Sequence, residues 1–86
     1  LYPNPFNPTV TLTYDLAAMS DLHVSIYNLA GEQVWNHAKG NHPAGQDYTL
    51  AWNGIDMTNT PLPSGIYLVN IQAGTQIKSK KVTLLR

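Results

Sequence analysis

The chain has 86 residues, with five basic and five acidic side chains and no cysteine. That length fits one small domain and not two, so residues 1–86 are read as a single unit with 1–8 as a proline-rich lead-in. Balanced charge argues against a nucleic-acid binder, and the missing cysteines remove a disulfide framework, a thiolate metal site and a thiol nucleophile. The apolar runs are too short for a membrane span, and no charged segment followed by an apolar run opens the chain as a signal peptide. With 43% hydrophobic and only 12% charged residues, the chain can build a core.

Three of the six prolines lie in the first eight residues, so that lead-in should be stiff and extended, with Tyr2 and Phe6 available to dock it. Residues 9–16 alternate strictly. Val10, Leu12, Tyr14 and Leu16 share one face, and three threonines with Asp15 share the other, which is the pattern of a half-buried strand. Residues 17–21 read as a connection. Residues 22–29 alternate again, with Leu22, Val24 and Ile26 opposed to His23, Ser25 and Tyr27.

Asn28 to Gly31 carries turn chemistry, with Gly31 at a left-handed position, and residues 32–38 form a third strand hairpinned to the second. Val34 should point inward there and leave Trp35 exposed. Residues 39–45 read as a long turn, dense in glycine and proline. Residues 46–53 form a strand with Tyr48, Leu50 and Trp52 on one face, and residues 54–65 form a loop. Residues 66–73 are apolar on both faces, which places them centrally in a sheet. Gly74-Thr75 turns the chain into a last strand over residues 76–86, with Ile77, Val82, Leu84 and Leu85 available for burial.

Six or seven short strands at this spacing, with no convincing helix, predict an all-β fold: a small antiparallel β-sandwich. The Cys–Trp–Cys arrangement of immunoglobulin domains is absent, so any immunoglobulin-like character is architectural. The expected core is Leu12, Tyr14, Val24, Ile26, Trp52, Tyr67, Val69 and Ile71.

Chemistry is sparse. His23, His37 and His42 match no metal spacing and read as surface histidines. Asp15, Asp21, Glu32, Asp47 and Asp56 are scattered, where a glycosidase needs two carboxyls across a cleft. Ser20, Ser25, Ser64 and Ser79 lack a nucleophile-elbow context. The chain is therefore read as no enzyme, with no cofactor and no metal. The loop at 53–60 holds spaced oxygens, but Asx turns explain Asn53, Asp56 and Asn59 better than calcium does. Trp35 or Trp52 could stack on a sugar, yet with a single phenylalanine the tryptophans are needed for the core.

The sharper signal is the end of the chain. Lys78, Lys80, Lys81 and Arg86 are four of the five basic residues, interleaved with Val82, Leu84 and Leu85. Lysines of this kind protect an edge strand from aggregation, and they also suit an extended segment read by a partner.

Together these residues resemble a family. Tyr2-Pro3-Asn4-Pro5-Phe6-Asn7-Pro8 ahead of a threonine-rich strand resembles the opening of C-terminal sorting domains of the type IX secretion system. It is also similar to the immunoglobulin-like domain of the flagellar hook-capping protein. Ile26-Tyr27-Asn28-Leu29-Ala30-Gly31-Glu32-Gln33-Val34 resembles the family hairpin, and Trp52-Asn53-Gly54 its Trp-Asp/Asn-Gly turn. Pro63-Ser64-Gly65-Ile66-Tyr67 resembles its lead into a central strand, and the stretch from Lys80 to Arg86 resembles its terminal tail. The departures are Asn53, where an acid is frequent, and Thr83 in the terminal apolar run.

The resemblance implies a non-catalytic export signal of a larger secreted protein from Bacteroidota and related phyla. It implies passage through the periplasm, recognition by type IX machinery, and in many members removal by a surface, sortase-like protease. It places recognition on Gly65, Tyr67, Lys80, Lys81, Val82, Leu84 and Leu85, with Gly65 allowing the turn that sets register, Tyr67 anchoring the core and the tail being read. An accessory adhesion or assembly module is the other reading of the same fold, and the exposed last strand could also self-associate. Leu1 looks like an excised start and Arg86 like a natural end. The charges add a polarity. All five acids and Lys39 lie at or before Asp56, and the four remaining bases lie beyond it.

Overall fold

A computed structural model describes residues 9–85; the lead-in at 1–8 and Arg86 lie outside the described residues. Six strands follow one another: β1 (Val10–Leu16), β2 (Ser20–Tyr27), β3 (Gln33–His42), β4 (Gly45–Trp52), β5 (Gly65–Ala73) and β6 (Gln76–Leu84). Every pairing is antiparallel. β1 and β4 make a two-stranded sheet, and the other four make a sheet in the order β3-β2-β5-β6. The expected all-β sandwich is thus present, with six strands.

Period-two alternation drives this arrangement, because successive side chains of a strand point to opposite faces. Leu12 and Tyr14 from β1 and Leu50 and Trp52 from β4 meet Leu22, Val24, Ile26, Tyr67, Val69, Val82 and Leu84 from the larger sheet, and Leu16 is buried as well. Trp52 sits at the centre, 2% exposed, with its ring edge-on to Tyr67 at 5.4 Å and its indole N–H donated to the Ile55 carbonyl at 3.0 Å. Of the expected core, only Ile71 is merely half-buried.

Turn chemistry sets the hairpins. The Asn28 Oδ1 accepts the backbone N–H groups of Ala30 and Glu32, each at 3.0 Å, and Gly31 takes φ 86°, as its place after the turn predicts. In the loop after β4, one oxygen of Asp56 accepts the N–H groups of Thr58 and Thr60 and the Thr58 hydroxyl. This is the Asx-turn reading of that loop.

Four local expectations need correction. β3 does not end at residue 38; it runs to His42, because a bulge absorbs the glycine. Leu22 pairs with Gly40 and His23 with Ala38, so Lys39 is the extra residue, and Gly40 supplies φ 62°. A second bulge at the start of β3 undoes the simple alternation there. Ile26 pairs with Trp35 but Tyr27 with Gln33, so both Val34 and Trp35 are half-buried against the core. β5 is central, but only one of its faces is covered: Ile66 and Leu68 are 40% and 37% exposed. Ile77 and Leu85, read as available for burial, are 61% and 73% exposed, since both have the parity of Lys81 and Thr83 and so lie on the side of β6 away from the core.

His42 is the largest departure. It was expected on the surface, and it is 9% exposed. Its Nε2 meets the Tyr14 hydroxyl at 3.1 Å and its Nδ1 donates to the Pro43 carbonyl at 2.9 Å, with the Tyr48 ring edge-on at 4.3 Å.

Candidate functional site

The seven residues singled out for recognition all lie on the β5–β6 hairpin or directly after it. In the β5–β6 ladder Gly65 pairs with Leu84, Tyr67 with Val82, Leu68 with Lys81 and Val69 with Lys80, and Leu85 follows directly. Sequence positions up to 20 apart are thereby brought onto one end of one hairpin. β6 has a hydrogen-bonded neighbour on one side only, so its other edge is free among the described residues.

This set has a buried half and an exposed half. Val82 and Leu84 are 8% and 0% exposed and fix the strand's register against the core. Tyr67 is buried beneath them, and its hydroxyl donates to the Pro63 carbonyl at 2.7 Å, tying β5 to the loop before it. Lys80, Lys81 and Leu85 are exposed. Because alternate residues of a strand share a face, Lys78 and Lys80 lie on the side of Val82 and Leu84, facing the smaller sheet. Lys81 lies on the opposite face with Thr83, beside Leu68 and Ile66.

Gly65 begins β5 opposite Leu84. It takes no left-handed backbone, the positive-φ glycines being Gly31, Gly40, Gly54 and Gly74. A Cβ at Gly65 would find its nearest atom, Tyr67 Cε1, at 4.0 Å, which is ordinary contact.

Elsewhere the described residues offer little chemistry. No group of three or more histidines, carboxylates or cysteines could hold a metal among them. His23 and His37 are exposed, and His37 stacks on Trp35 at 5.9 Å. Trp52 is buried and presents no sugar platform. Hydrogen bonds from the Thr58 hydroxyl and the Thr60 and Thr58 amides, all to one carboxylate oxygen, hold the Asp56 carboxyl below its ordinary range. No described helix is long and apolar enough to cross a membrane.

Sequence reasoning missed two parts of this surface. Lys78 belongs with Lys80, a parity that alternation back from Val82 could have given. The exposed Ile66–Leu68 face was hidden by reading an apolar strand as buried on both sides.

The family model for a secretion system C-terminal sorting domain matches residues 1–84. The chain belongs to that family. A solved structure of FlgD from P. aeruginosa is similar in fold, with a TM-score of 0.69 and 25% identity. That match covers 90% of this chain and 60% of FlgD, so the chain spans less than two thirds of that relative. No curated protein matches the sequence.

As a type IX sorting domain, the chain carries a C-terminal signal for secretion. Membership implies interaction with the type IX machinery and export to the cell surface or exterior. A domain of this kind is generally non-catalytic.

Proposed function

We propose that residues 1–86 act as one export module whose β5–β6 end is the part read by the machinery after passage through the periplasm. Tyr67, Val82 and Leu84 hold the hairpin in register, and Lys80, Lys81 and Leu85 are the groups presented. Gly65 keeps the start of β5 free of a side chain opposite Leu84. The module catalyses nothing and takes no cofactor. The carrying observation is that a strand anchored by Val82 and Leu84 at the core exposes its cations beside an edge that is free among the described residues.

A free edge pairs with another strand, so the same feature supports recognition by strand addition and, at high concentration, self-association through β6. Removal by a surface, sortase-like protease would follow delivery, once the signal has been used.

The test is export of a reporter placed ahead of residues 1–86 in a type IX host. The fusion should reach the surface or medium, and deleting residues 80–86 should stop it. A truncated fusion that still leaves the cell overturns the assignment of the tail.

A further inference from the structure

The two sheets do not close on each other along one side. β1 is an edge of the small sheet and β6 an edge of the large one, and a groove runs between them. Its middle is a space of about 300 Å³ lined by Thr13, Tyr14, Asp15, Ile71, Lys78 and Lys80. It continues past Leu16, Ala73 and Gln76 toward the β5–β6 turn. The stretch of β6 along it, residues 76–80, has exposed side chains throughout, although the same face is buried at Val82 and Leu84. The inner face of β6 thus begins uncovered and ends in the core.

The groove's chemistry is one-sided. Its floor is apolar, from Ile71 and Ala73, and its β6 bank carries Lys78 and Lys80 two positions apart on one face. Lys78 stands across from Ile71 and Lys80 across from Val69, so neither has a carboxylate as its partner within the ladder. The acid of the groove, Asp15, has one carboxylate oxygen committed to the Asp47 amide at 2.9 Å on the β1 bank. Beyond Asp56 the sequence holds no acid at all.

We propose that this groove receives an extended strand of a partner protein with carboxylates at alternate positions. The strand pairs with the free edge of β6 over residues 76–80. Its inward side chains lie across from Lys78 and Lys80, where opposite charges on neighbouring strands attract. Lys81 points to the other face and takes no part. The proposal rests on reading β6 as the element the machinery meets, and it names the groove side of that strand and the partner's chemistry.

The test uses the 86-residue chain and a seven-residue peptide of β-branched residues with glutamate at its third and fifth positions. A second peptide with lysine at those positions is the comparison. Amide signals of residues 76–80 and Asp15 should move with the glutamate peptide, and binding should weaken as salt is raised. The double variant Lys78→Glu with Lys80→Glu should lose at least tenfold in affinity for that peptide and should take the lysine peptide instead. Unchanged signals at Trp52 and Tyr67 would show that the variant stays folded.

Equal binding of the two peptides overturns the proposal, as does a response confined to the Ile66–Leu68 face. So does binding that requires removal of residues 1–8, which makes the occupant the chain's own lead-in, or a dimer that forms while the peptide is ignored. Export separates the two readings. If the Lys78→Glu, Lys80→Glu fusion is exported normally and the 80–86 deletion is not, the tail is read without Lys80 and the groove is not its route.

Discussion

The Tyr14 hydroxyl donates to Nε2 of buried His42 at 3.1 Å, joining β1 to the far end of β3. The direction follows from the other ring nitrogen. The Pro43 carbonyl can only accept, so Nδ1 carries the proton and Nε2 is left as the acceptor. Tyr14→Phe leaves that acceptor buried without a partner, at a cost of about 1–2 kcal/mol. The melting temperature should fall by several degrees, since about 1 kcal/mol corresponds to roughly 4–8 °C in a domain of this size. A variant that melts with the parent would show that the bond contributes nothing.

Alkali should expose the same pair. Burial, and then the neighbouring Tyr48, raise the Tyr14 pKa above its ordinary 10.0. The folded state therefore keeps a proton that the unfolded state releases first. Stability is full below about pH 10, the unfolded value, and is lost as pH rises toward the folded one. Tyrosinate absorbance should show one phenol titrating late, and Tyr14→Phe should remove that late step.

Much of this was legible in the chain, for physical reasons. Strict alternation at 9–16 and 22–27 named the buried faces because period two leaves no other assignment. Asn28 and Gly31 named their turn because side-chain capping and a left-handed φ are local properties. His42 was hidden because Gly40, Pro43 and Gly45 mark a turn, whereas Gly40 belongs to a bulge that lets the strand continue. Ile66, Leu68 and Ile77 were misplaced because an apolar side chain does not say which face it is on, and these three have the parity of the outer face. On the inner face the limit is the number of strands in the opposing sheet, which sequence cannot count. Two strands cannot cover four. The same shortage leaves Lys78 and Lys80 uncovered on the inner face of β6.

Acid should loosen the loop after β4. The Asp56 carboxylate is held below its ordinary pKa of 3.8 by Thr58 and Thr60. A lowered folded pKa contributes stability that is present above the unfolded value and is lost as pH falls through the folded one. The protection of the Thr58 and Thr60 amides, taken against the intrinsic exchange rate at each pH, should therefore fall below about pH 4. Asp56→Asn keeps an accepting oxygen without the charge, so it should flatten that pH dependence. Asp56→Ala should leave both amides unprotected at every pH. Protection at these two amides that does not change with acid in the parent chain would contradict the assignment.

Two glycines separate packing from recognition. A Cβ at Gly45 would lie 2.5 Å from the Tyr48 hydroxyl oxygen and 2.8 Å from Cζ. That ring cannot swing aside freely, because its hydroxyl is held by the carbonyls of Pro43 and Ala44 at 3.0 and 3.2 Å. Gly45→Ala should cost about 1–3 kcal/mol through overpacking. Gly65 has room, its nearest neighbour being 4.0 Å away, so Gly65→Ala should change stability by no more than about 0.5 kcal/mol. Urea unfolding measures both. Gly65 lies opposite Leu84 in the hairpin assigned to recognition, so export of the stable Gly65→Ala fusion then becomes informative. Reduced export at unchanged stability places the effect at the receptor contact. Normal export removes Gly65 from the recognition set and leaves the anchored tail to carry it.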